Sequence, residues 1–332
     1  MDSPLLLTRL RFLAVILVLA SASRPLHAQE AVPGWMQTRD QNPFALATGL
    51  PLPPMILAAG KWQFDASLNI ANTELDVFRD DSSLLFDAET RETRVSATYA
   101  FNDHWNLRAS ISHLWIGDGI LDGPIEGFHR AFGFDNGDRG QLGDRAPVIE
   151  VRRDGNLLYA LQRANSGAGP LLVDLTRGWR FDDQRHAGLS FGIKLPTGHA
   201  ERLSDSGGTD ISLSGFFMQP FGDRLEVGAR VGILRRDGTE LLGDLARTHV
   251  PFASALLRYR LGEHWSAVVQ SDAHGPLYRD LPGFLSSSGN QLNFGLSRRV
   301  GEHVEFEASL GEDLPALLTT DVVVHFNLRL HP

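Results

Sequence analysis

From Lys61 onward the chain is written in steps of two. In KWQFDASLNI, Trp62, Phe64, Ala66, Leu68 and Ile70 alternate with Lys61, Gln63, Asp65, Ser67 and Asn69. A strand turns successive side chains to opposite faces, so this pattern makes one apolar and one polar surface. HWNLRASISHLW repeats it, with Trp105, Leu107, Ala109 and Ile111 against Asn106, Arg108, Ser110 and Ser112. So do GLSFGIKLP near residue 190 and VVVHFNLRL near the end. Helical periodicity is weak throughout the region after residue 30.

Five short segments, FNDH (101–104), FDDQ (181–184), FGDR (221–224), LGEH (261–264) and VGEH (300–303), each sit between two alternating runs. Strand, tight turn and strand make a hairpin. The spacing predicts twelve strands, near 60–72, 89–101, 104–116, 170–181, 185–195, 209–221, 224–236, 250–261, 264–275, 291–300, 303–311 and 320–330. Long polar loops are expected near 73–88, 117–169, 196–208, 237–249, 276–290 and 312–319. An even strand count, short turns alternating with long loops, and aromatics gathered at strand ends (Trp62, Tyr99, Phe101, Trp105, Trp179, Trp265) are the marks of an outer-membrane barrel. Lipid leaves no unpaired backbone group tolerable, so the sheet must close. The expected fold is all-β: a transmembrane antiparallel up-and-down barrel of about twelve strands, with short periplasmic turns and long extracellular loops. A water-soluble sandwich also alternates, but its turns need not alternate short and long. VIEVRRDGNLLYALQR, turning at Asp154-Gly155, is either an extramembrane hairpin, the preferred reading, or a further pair of spanning strands. Arg177 breaks the apolar face of LLVDLTRGWRF, so either a bulge resets the register near Gly178 or the side chain lies at an interface.

The first 28 residues place Arg9 and Arg11 before an apolar core, Phe12 to Ala20, and a small-residue cut site after Ala28. This is a secretory signal peptide, its core shorter than the ~20 residues of a spanning helix. Residues 29–59 carry Pro33, Pro43, Pro51, Pro53 and Pro54 and cannot form a long strand. They are read as a periplasmic or lumen-inserted lead-in, with the barrel over 60–332. The expected location is the outer membrane of a Gram-negative cell, in contact with lipid and lipopolysaccharide and delivered by the barrel assembly machinery. Net charge is −9, which disfavours nucleic acid. The chain has no cysteine, which excludes disulfides and thiolate metal sites.

Three stretches, RDQNPFALATGLPLPP, ILDGPIEGFHRAFGFDNGDR and KLPTGHAERLSDSGGTDISL, resemble, in the expected order, the domain-of-unknown-function family 3187. The resemblance covers nearly all of the mature chain and implies an outer-membrane barrel. It supplies no substrate, reaction or catalytic residue. The chain ends in LRLHP, where many such barrels end in an aromatic residue.

Two sets of candidate functional residues follow. In the longest loop, GFHRAFGFDNGDRG (127–140) is expected to fold over or into the barrel mouth. Phe128, Phe132 and Phe134 would pack inside, with His129, Arg130, Asp135, Asp138 and Arg139 as polar contacts. The second set is the lumen. By parity Asp65, Arg94, Arg108, Asp174, Lys194, Asp210, Glu226, Arg230, Arg258, Arg260, Asp272, Arg299, Glu305, Glu307, His325 and Arg329 point inward. Charges of both signs suit either a packed interior or a polar path. Twelve strands leave a narrow lumen, between the filled eight-strand barrel and the open porin. No cofactor is expected, and no metal site is assigned, since DNGDRG lacks the ligand spacing of a calcium loop. GLSFG places Ser190 inside a strand, away from any nucleophile elbow. A lipase-like site using SSSGN is the enzyme alternative, with Ser190 and Ser287 as its candidates. The favoured function is a narrow channel or transporter for a small solute. A barrel hydrolase and a structural or binding barrel are the alternatives.

Overall fold

The computed structural model describes residues 34–121, 123, 147–181, 185–314 and 320–332. Its strands are β1 (Trp62–Arg79), β2 (Ser82–Ala100), β3 (Trp105–Gly117), β4 (Val148–Arg153), β5 (Asn156–Leu161), β6 (Asn165–Ala168), β7 (Leu171–Arg180) and β8 (His186–Leu195). There follow β9 (Thr209–Phe221), β10 (Leu225–Asp237), β11 (His249–Arg260), β12 (Trp265–His274), β13 (Gly289–Val300), β14 (Val304–Asp313) and β15 (Val322–Leu330). Each long strand pairs antiparallel with its neighbour, and β3 pairs with β7 across the long loop. The circle closes where β1 meets β15, from Phe64 opposite Leu330 to Asn72 opposite Val322. The result is a closed barrel of twelve strands. Its outer face carries exposed Leu68, Val95, Ile111, Leu213, Val231, Leu257, Leu310 and Phe326, the belt that meets lipid tails.

At the short-turn rim, periplasmic by the usual asymmetry of such barrels, Trp62 lies against Tyr99 with ring centroids 4.7 Å apart. Arg177 belongs to this rim. The β7–β8 ladder runs through Gly178 without a shift. Arg177 points outward, its guanidinium 5.6 Å from the Trp105 ring and 5.2 Å from that of Trp179. No bulge resets the register; the charge sits among interfacial indoles, where water reaches it.

One expectation is corrected. The region 73–88 is not a loop: β1 and β2 continue as one ladder to Arg79 opposite Ser82. The hydrophobic phase inverts along the way. Through Ile70 the outward positions are apolar and the inward ones polar; above it the inward Ala71, Leu75, Leu84 and Phe86 are apolar and buried. Outward Asp76 lies in water, so the apolar set crosses from one face to the other while the strand runs straight on.

The inward apolar residues meet the extracellular loops. The β4–β5 hairpin turns at Asp154 (φ 49°) and Gly155 (φ 75°), a primed two-residue turn, and adds to the top of β2 between Ser83 and Asp87. It is too short to span and lies above the belt. Its Ile149, Val151 and Leu161 join Leu203, Leu241, Leu277, Tyr278, Phe284 and Leu285 in a buried cap over the barrel. Burial raises the Tyr159 and Tyr278 hydroxyls above the ordinary phenol range, so both rings stay neutral there. The signal-peptide region and loop 127–140, including all eight of its candidate residues, lie outside the described residues.

The candidate functional site is an occupied lumen

Residues 34–57 run inside the barrel, and almost every side chain there is buried. Gly34 and Trp35 enter at the periplasmic rim, beside Arg258 and Arg329. The chain climbs along β12. Met36, Thr38 and Asp40 bond in turn to Gln270, Asp272 and His274. Below the cap it turns in a one-turn helix, α1 (Pro43–Leu46), with Asn42 capping the Phe44 N–H at 3.0 Å. Phe44 fills the cap edge-on to Tyr159 and Tyr278, at 5.9 and 6.0 Å. The descent returns to the same rim, where Leu57 donates to Asn106 Oδ1 at 3.0 Å and Ala59 to Asp103 Oδ1 at 3.1 Å.

This segment lies in no ladder, so its buried backbone groups need other partners. The wall supplies them from side chains. Arg108 donates to Leu52 O (3.1 Å) and Pro53 O (2.7 Å), Arg230 to Pro51 O (3.2 Å) and Arg329 to Trp35 O (3.4 Å). Arg94 reaches Gln37 O, and Arg258 reaches Gly34 O. Acceptors on the wall take the N–H groups. Gln270 Oε1 takes Met36 at 3.0 Å, Gln291 Oε1 takes Gln41 at 3.2 Å, and Asp210 Oδ2 takes Gly49 at 3.0 Å. Pro51, Pro53 and Pro54 bring no N–H at all, which reduces the number of donors to be satisfied.

Four of these arginines are tied into the wall by carboxylates, while Arg230 donates to Ser214 Oγ at 3.4 Å. Arg108 meets Asp174 at 2.9 Å. Arg329 meets Asp65 at 3.0 Å and Glu305 at 3.3 Å, and Glu305 also holds Arg258. Glu92 joins Arg94 to Arg39 of the segment, at 3.0 and 2.8 Å. His325 lies between Asn69 (2.6 Å) and Glu307 (3.3 Å). Lys194 does something else. Fully buried, it donates to Asp205 (2.5 Å), Ser206 (2.7 Å) and Gly208 O (2.8 Å), stapling the loop after β8 to the wall. Arg260 and Arg299 stay half-buried at the periplasmic strand ends.

Shape completes the fit. A Cβ on Gly228 would lie 2.9 Å from the Trp35 ring, and one on Gly295 2.9 Å from Met36 Sδ. A cavity of about 20 Å³ remains between Thr38, Asp40, Pro51, Arg230, Asp272 and His274, room for about one water. Of the hydrolase candidates, the Ser190 hydroxyl pairs with Thr176 Oγ1 at 3.0 Å and the Ser287 hydroxyl donates to Gly283 O at 3.1 Å. Neither bond forms a nucleophile–base pair.

Glu92, Gln270, His274 and Gln291 did not figure among the sequence candidates. Their signal was available: each stands two positions from an inward residue of its own strand. Arg39 and Asp40, in a segment without periodicity, gave none.

The sequence matches the family described as "Protein of unknown function (DUF3187)" over residues 11–331. The chain belongs to this family. No curated protein matches the DUF3187 chain in sequence. In fold it is similar to the COG4313 outer membrane channel from Pseudomonas putida F1, with a TM-score of 0.56, 13% identity, and coverage of 83% of this chain and 96% of that one. More distant are the NanC porin (TM-score 0.46, 10% identity, 80% and 98% covered) and the Ralstonia pickettii toluene transporter TbuX (0.40, 10%, 91% and 96%).

Proposed function

We propose that this DUF3187 protein is a narrow outer-membrane channel for a small solute, closed in the form described here by its own residues 34–57. One observation carries the reading. The lumen is filled by a separate stretch of chain, held by side chain-to-backbone hydrogen bonds outside every ladder of the barrel. Twelve strands enclose more room than the eight-strand barrel that side chains fill, and here that room is taken by a stretch of chain that is no part of the wall. The fold likeness to a protein described as an outer membrane channel points the same way. The segment carries one Arg and one Asp, Arg39 and Asp40, so its departure would leave the formal charge of the wall unchanged.

Conductance in planar bilayers tests this. The cysteine-free chain allows a double variant, Met36→Cys with Gly295→Cys, to tie the segment to β13 on oxidation. The reduced form and the Arg108→Ala variant are expected to conduct, and the oxidised form to be silent. If wild type, reduced double variant and Arg108→Ala all remain silent while migrating as folded, heat-modifiable barrels, the channel reading fails.

A further inference from the structure

Much of the wall's hold on residues 34–57 is on their backbone groups. Gln270 contacts both peptide groups of Met36, its Oε1 accepting from the N–H at 3.0 Å and its Nε2 donating to the carbonyl at 3.1 Å. That is the two-bond exchange of a β-bridge, made by a side chain. Arg108 spans two consecutive carbonyls, Leu52 and Pro53, and Arg230 takes the one before them, Pro51. Asp210 holds the Gly49 N–H. Every polypeptide offers these groups, whatever its side chains. Extended, proline-containing chains suit the wall best, because they need few acceptors and keep their carbonyls free to accept.

From this pattern we infer that the lumen is a binding path for extended peptides, and that residues 34–57 occupy it as a tethered surrogate for a cargo of the same chemistry. The inference rests on the channel reading and names its solute class: short, unfolded, proline-containing peptides. The tethered segment competes with cargo for the same donors and acceptors, so cargo enters as the segment withdraws.

The test uses the full chain carrying Phe44→Ala, which loosens the segment in the cap and leaves the wall intact. Currents through this variant are recorded with three probes of similar size. They are a capped peptide with the sequence of residues 47–57, an unrelated proline-containing peptide of equal length, and a polyethylene glycol. Both peptides are expected to block, and the polymer to have no effect. Adding Arg230→Ala, which removes the donor to the Pro51 carbonyl, should raise the half-blocking concentration of the 47–57 peptide about tenfold, the scale of losing one hydrogen bond to a charged group. Equal block by peptide and polymer, or ionic current untouched by either peptide, overturns the peptide assignment and leaves the channel standing. Absence of current from Phe44→Ala, Arg108→Ala and wild type alike overturns the channel itself.

Discussion

Arg94, Arg108, Arg258 and Arg329 are each shared between a carboxylate of the barrel and a carbonyl of the inner segment, so truncating one of them should be felt chiefly by the segment. Removing Arg108 leaves Leu52 O and Pro53 O buried without a donor. With hydrogen bonds to charged groups worth about 1.5–3 kcal/mol each, losing both should raise the segment's opening equilibrium by about 100-fold or more. Maleimide labelling of Met36→Cys as the sole thiol reads this directly: slow in the parent, about 100-fold faster or more with Arg108→Ala, and unchanged if the segment does not open. On the outer face, Val231→Arg at mid-belt should destabilise the barrel by about 2–4 kcal/mol in urea unfolding from lipid vesicles. Arg177→Leu should shift it by less than about 1 kcal/mol, because that charge already lies among interfacial tryptophans. Much of this scale was legible. Parity alone turned Asp65, Arg94, Arg108, Asp174 and Arg329 inward, where they are buried. Parity gives a face, however, and no neighbour: nothing in the sequence says that Arg108 meets Pro53 or that Lys194 staples its own loop.

Among elements, the hairpin of β1 and β2 shows how an alternation can hide a strand. Leu75, Leu84 and Phe86 are as strictly spaced as Phe64 and Leu68, but they lie on the other face, because the dry side changes from outside to inside above the bilayer. A one-residue slip in phase looks like the end of a strand when a single dry face is assumed. The cap explains the slip, and the cap depends on loops distant in sequence, so only the folded chain reveals it. Helix α1 is too short to hold itself together. It stands because Phe44 is enclosed by Phe86, Tyr159 and Tyr278. Phe44→Ala should cost about 3–5 kcal/mol locally. Hydrogen exchange should then show lost protection confined to residues 34–57 and the β4–β5 hairpin, with β7 to β15 unaffected. Protection lost across the whole barrel would contradict a separable segment.

At the scale of the molecule, closure was readable from turn lengths and strand count, while the occupied interior was not, since a proline-rich stretch suits a tether as well as a filling. The mature chain is expected to fractionate with outer membranes and to migrate faster unheated than boiled; recovery in the soluble periplasm would contradict the membrane reading. The inversion along β1 also serves as a depth gauge. It sets the upper edge of the hydrocarbon layer at Ile70, level with Arg91, whose guanidinium covers the Trp115 ring at 4.3 Å. From Trp62 to Ile70 is about 26 Å along the strand at ~3.3 Å per residue. At the usual tilt of about 40° this makes a slab roughly 20 Å thick, at the thin end for a membrane. Everything above that level, including the apolar lid, stands beyond the hydrocarbon layer, so a solute arriving from outside would have to part a greasy seal before it met the first charge.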